Sequence, residues 1–148
     1  MKIEMLMFLT LPVLFVSSVI DIKTKELPIR GMAAYCAVLK VVSIFLQPNF
    51  IFLSQILIPT ICAVYTFLMY FMLAKHFGGG GGDCIYMTCL AFLYGIAILP
   101  IILITSFCFL GYSLFQRRNG EKEVAYIPCV TAGVLLQMSL CFIEGGYL

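Results

Sequence analysis

The chain is 148 residues long, with 63% apolar and only 11% charged side chains and a mean hydropathy of +1.10. Soluble domains carry roughly 25% charged and about 45–50% apolar residues, so this chain cannot clothe a water-facing surface. That excludes a disordered protein and a water-soluble enzyme, and a net charge of +2 is too small a basic excess to indicate nucleic-acid binding. The composition is that of an integral membrane protein.

In chain order the apolar runs are Met5–Ile20, Gly31–Leu46, Phe50–Ala74, Cys84–Phe115 and Val124–Ile143. A membrane-spanning helix needs about 20 residues to cross roughly 30 Å of hydrocarbon. The first run, after Lys2 and ending near Val16-Ser17-Ser18, has the outline of a signal peptide. Its basic cluster follows the run instead of preceding it, which favours an uncleaved helix. The second run contains Lys40, which must face a polar interior unless the helix is shifted or frayed there. The second and third runs make a hairpin turning at Gln47-Pro48-Asn49. The fourth, at about 48 Å if fully helical, is too long for one upright span. Pro100, after Gly95, offers a turn into two helices of about 84–99 and 101–115.

Charge sets the expected topology. Lys23, Lys25 and Arg30 follow the first run, Lys75 and His76 the third, and Arg117, Arg118 and Lys122 the fourth. The positive-inside rule places all three clusters in the cytoplasm, so an even number of crossings separates each from the next. The expectation is an all-α, polytopic membrane bundle of about six transmembrane helices, one domain over residues 1–148, with both termini outside.

The cysteines, at 36, 62, 84, 89, 108, 129 and 141, are odd in number and show no CxxC pair, and His76 is the one histidine. Neither a disulfide framework nor a zinc site fits. No metal and no cofactor is expected.

The chain has two aspartates, Asp21 and Asp83, each at an expected cytoplasmic boundary. An ionisable group at membrane depth is costly and is a functional candidate by default. The structural alternative is that Asp83 caps the helix starting at Cys84 and Asp21 pairs with Lys25. Five consecutive glycines, Gly78 to Gly82, run directly into Asp83. Glycines there admit backbone dihedrals closed to other residues and let another chain approach closely. A phosphate-binding loop is excluded, because no GK[ST] follows and no strand precedes. A plain flexible linker is the remaining alternative.

Two motifs now resemble a known family. Asp21-Ile22-Lys23-Thr24-Lys25-Glu26-Leu27-Pro28 is similar to the signature that follows the first core helix of type IV prepilin peptidases and archaeal preflagellin peptidases, an Asp with basic residues and an Ile/Leu-Pro pair. Gly80-Gly81-Gly82-Asp83 matches the GxGD motif that carries that family's second catalytic Asp. Tyr126-Ile127-Pro128 through Gly133 resembles the Pro-containing start of its last helix. The resemblance extends over about residues 5–143. It departs at Ile29, where the family often has Asn, and at Ile85, where it often has Lys; neither position is catalytic in the family. Larger members carry an N-terminal segment with paired CxxC motifs and a methyltransferase activity. This chain shows no such segment and is closest to the short, peptidase-only members.

The resemblance implies a membrane aspartic endopeptidase that cuts a short basic leader from prepilin-like or preflagellin-like membrane proteins at the cytoplasmic face of the cell membrane. Asp21 and Asp83 would be the catalytic pair, Gly80 and Gly82 the active-site loop, and Lys25, Leu27 and Pro28 the supporting motif. Two carboxyls held close cannot both ionise cheaply, so one would stay protonated while the other activates water. The competing reading is a non-enzymatic bundle, a small transporter or a pilus-assembly factor, since transporters also combine membrane carboxylates with Gly-broken helices. Against it, no carboxylate falls at mid-bilayer and no inverted repeat is visible.

Overall fold

The computed structural model describes residues 3–24, 28–46, 51–77, 81–118 and 125–145, and among them there is no strand. Six α-helices follow in order: α1 (Ile3–Thr24), α2 (Ile29–Phe45), α3 (Ile58–Phe77), α4 (Gly81–Tyr94), α5 (Ile98–Arg118) and α6 (Ile127–Gly145). A π-turn, Leu53–Leu57, leads into α3, and a 3-10 turn, Gly95–Ala97, separates α4 from α5. Three stretches, Glu4–Thr24, Leu53–Lys75 and Gly81–Phe115, are long and apolar enough to cross a membrane, and Ile127–Cys141 is a shorter apolar helix. The fold is an all-α polytopic membrane bundle, as the composition requires.

The fourth apolar run breaks where glycine permits it. Gly95 has φ +60°, a left-handed conformation that costs other residues roughly 1–2 kcal/mol. A Cβ there would also lie 3.5 Å from Pro59 Cγ. Pro100 is not the break, contrary to the expected turn at that residue. It lies in the first turn of α5, where a missing N–H goes unnoticed because no earlier carbonyl awaits it.

Helix α4 also begins earlier than expected. Its first residue is Gly81, so Gly82 is helical and Asp83 stands inside the first turn; it is not a cap ahead of Cys84. An acidic residue in a first turn faces unsatisfied N–H groups and the positive end of the helix.

The chain divides into two compact units, one of Met1–Leu6 with Pro28–Ile98 and one of Met7–Leu27 with Leu99–Leu148. In the first, α4 is the shared partner of α2 and α3. Helix α2 turns Met32, Cys36, Leu39, Lys40 and Ser43 inward, a stripe at three- and four-residue spacing. From α4 come the buried Tyr86, Met87, Leu90, Ala91, Leu93 and Tyr94. Lys40 is 8% exposed, and its Nζ lies 5.4 Å from the ring centroid of Phe92. The aromatic face supplies the polar partner that a cation in an apolar interior requires. This settles Lys40 as interior and regularly helical.

In the second unit α1, α5 and α6 meet through small and hydroxylated residues. A Cβ on Gly133 of α6 would run into Thr105 Oγ1 and lie 3.2 Å from the Ile101 carbonyl of α5. Such a close approach of backbones is the usual way for membrane helices to gain contact when lipid is as apolar as the side chains. Phe109 of α5 meets Tyr126, just before α6, edge to face at 5.2 Å.

Candidate active site

Asp21 lies in the last turn of α1, and the same helix explains its depth. Met7, Thr10, Leu14, Ser17, Ser18 and Asp21 recur every three or four residues, and all are buried. They form one face of α1 within the second unit. Met7 and Leu14 are its apolar members, Thr10 interrupts them, and Ser17, Ser18 and Asp21 make a polar end that Asp21 closes at 6% exposure.

Thr10, Ser18 and Asp21 of this face all have partners. Ser18 Oγ and Thr131 Oγ1 lie 2.7 Å apart, joining α1 to α6, and either hydroxyl can donate. Ser18 Oγ also reaches the Leu14 carbonyl at 2.8 Å, and Thr131 Oγ1 reaches the Ile127 carbonyl at 3.1 Å. A hydroxyl has one proton. If Thr131 donates across the seam, Ser18 gives its proton to Leu14; if Ser18 donates, Thr131 gives its own to Ile127 or, at 3.4 Å, to the Leu14 carbonyl of α1. One turn below, the backbone N–H of Ile127 donates to Asp21 Oδ2 at 2.9 Å. The carboxylate of α1 therefore occupies an N-terminal donor of α6.

Asp83 has a different setting within the first unit. It is half-buried in the first turn of α4, between half-buried Gly82 and buried Cys84. A Cβ on Gly81 would meet nothing within 4 Å, so that side of the turn is open. Gly80, Lys25 and Leu27 lie outside the described residues. Pro28 precedes α2 as its cap residue, and its carbonyl accepts the Met32 N–H at 3.1 Å. Proline suits that place because its fixed φ directs the chain into a helix without requiring a donor.

Sequence reasoning did not single out Ile127. Its contribution is a backbone N–H, which leaves no trace in residue type. The available signal was Pro128, whose missing N–H marks a helix start.

The chain matches a family model, that of the type IV leader peptidases, over residues 8–115. The matched span contains Asp21, Asp83 and the glycine run, and ends before α6. No curated protein and no solved structure matches the chain significantly. The family match covers well over half of the chain and agrees with its multi-pass helical architecture. The chain belongs to the type IV leader peptidase family, a family of membrane-embedded peptidases acting on membrane-protein substrates.

Proposed function

We propose that the protein is an aspartic endopeptidase that removes the short basic leader of prepilin-like or preflagellin-like proteins at the cytoplasmic face of the cell membrane. Asp21 and Asp83 are its two catalytic carboxyls. The observation that carries this reading is that the family match spans both of the chain's aspartates. The burial of Asp21 at the polar end of a membrane helix supports it.

The chemistry needs no covalent intermediate. One carboxylate takes a proton from water, and the water oxygen attacks the scissile carbonyl carbon. The other carboxyl, protonated, gives its proton to the carbonyl oxygen, forming a gem-diol. That intermediate collapses with C–N cleavage: the aspartic acid gives its proton to the departing nitrogen while the other carboxylate takes one from a diol hydroxyl, so both products leave with one proton again shared by the pair. Two carboxyls that share one proton supply both functions. Glycine at 80 and 82 leaves room for an extended substrate backbone beside Asp83. Neither a metal nor a cofactor takes part.

The substrate's apolar segment lies in lipid beside the bundle, with its leader in the cytoplasm. The lysines and arginines of the loops set topology and do not hold the leader, since a basic leader would be repelled by them.

Membranes containing the full chain should cut a reporter with a basic leader ahead of an apolar segment, giving one new amino terminus by mass spectrometry. Cysteine-accessibility labelling should place residues 23–30 and 76–82 on the same, cytoplasmic side. Labelling from opposite sides would overturn the topology and the pairing together. An uncut reporter, with the two loops on one side, would favour the non-enzymatic reading.

A further inference from the structure

The first turn of α6 offers a single free donor, and Asp21 takes it. Pro128 has no N–H, while the N–H groups of Cys129 and Val130 turn back to the Tyr126 carbonyl at 3.0 and 3.3 Å. Of the first four residues only Ile127 has an N–H directed out of the helix, and it reaches Asp21 Oδ2 at 2.9 Å. Ile127 is fully buried, Ala125 is 1% exposed, and Tyr126 packs edge to face on Phe109, so this turn is fixed in place. Ser18–Thr131 clamps the same two helices one turn further along. An N–H only donates, so Oδ2 is held as an acceptor.

We propose that the N-terminus of α6 is a positioning element for Asp21: the Ile127 N–H fixes Oδ2, leaving Oδ1 to face the reactants, and Pro128 ensures that no second donor competes. This rests on Asp21 being one of the catalytic carboxyls. It brings into the active site a helix that lies beyond the span of the family match. Ile127 is a positioning residue and touches no substrate.

The test removes the donor and keeps the rest. An amide-to-ester replacement at residue 127 deletes the N–H and keeps the buried side chain; Ile127→Val keeps the N–H. The full chain in proteoliposomes is assayed on the basic-leader reporter, with Asp21→Asn as the reference. Loss of a hydrogen bond to a carboxylate should lower kcat about 10- to 100-fold and leave KM within about twofold, whereas Ile127→Val stays near wild type. Because the chain has two aspartates, carboxyl-13C aspartate in an Asp83→Asn background reports on Asp21 alone. Its carboxyl resonance should move in the ester variant and not in Ile127→Val. An unmoved resonance, or wild-type kcat in a folded ester variant, overturns the positioning role. Full activity in Asp21→Asn would instead overturn the aspartic reading on which it rests.

Discussion

Asp21 and Asp83 are the same residue type in the same predicted chemical role, yet the fold treats them differently. Asp21 is 6% exposed at the end of a 22-residue helix and is held by a donor from a helix more than 100 residues away in sequence. Asp83 is half-buried in the first turn of its own helix, directly after a run of glycines. One carboxyl is held from a second helix, and the other stands, more exposed, in the first turn of its own. The proposed chemistry has a use for both settings, since it needs one group held fixed and one that a peptide backbone can reach.

The largest effect that would sharpen this contrast comes from lengthening each carboxylate by one methylene. Asp21→Glu pushes its carboxylate against the Ile127 turn, and its cleavage rate should fall by about 100-fold or more. Asp83→Glu, in the more open setting, should lose less. Equal losses in single-turnover assays would show that the two settings do not differ functionally.

The glycines come next. Gly81→Ala adds a Cβ in open space and should be tolerated. Gly82→Ala should impair cleavage several-fold at undiminished abundance, because alanine in a helical turn is favoured over glycine by about 1 kcal/mol. A loss of activity without a loss of protein then reports on substrate access. Gly80→Ala should resemble Gly82→Ala, and Gly78→Ala should resemble wild type. Equal activity for every variant would reduce the run to a linker.

The packing that supports Asp21 can be stressed from behind. Gly133→Ala forces a Cβ towards Thr105 Oγ1 and the Ile101 carbonyl, and overpacking of this kind costs about 1–3 kcal/mol. Thermal unfolding in detergent should show the loss, and Thr105→Ala should restore part of it. An additive double variant would show that the α5–α6 approach is not tight.

The smallest effect belongs to the first unit. A double-mutant cycle between Lys40→Met and Phe92→Leu should give a coupling of about 0.5–2 kcal/mol. Cleavage should be unchanged throughout, since neither side chain belongs to the proposed chemistry. A coupling near zero would leave the buried cation without its aromatic partner.

These contrasts also mark what the sequence could disclose. Long apolar runs in a chain with so few charges left no option but a helical membrane bundle. As candidates, Asp83 stood out because five glycines precede it, and Asp21 because of the Lys and Leu-Pro that follow. The exact break in the fourth run was not, since proline reads as a turn signal while a helix's first turn accepts it freely. Only the left-handed φ of Gly95 shows which residue turns the chain. Lys40 was visible as a buried cation, but nothing marked Phe92 among 13 phenylalanines. The donor to Asp21 was hidden most completely, because every residue but proline carries a backbone N–H.

The central claim is that two aspartates, and no metal, perform the cleavage. Its most direct test is single-turnover cleavage of the basic-leader reporter by purified full-length protein in proteoliposomes. Wild type, Asp21→Asn and Asp83→Asn are compared at equal abundance and equal thermal stability, with and without EDTA. Both asparagine variants should fall to the uncatalysed background, and EDTA should leave the wild-type rate unchanged. Wild-type cleavage by either variant, or an EDTA-sensitive activity restored by zinc, would contradict the account.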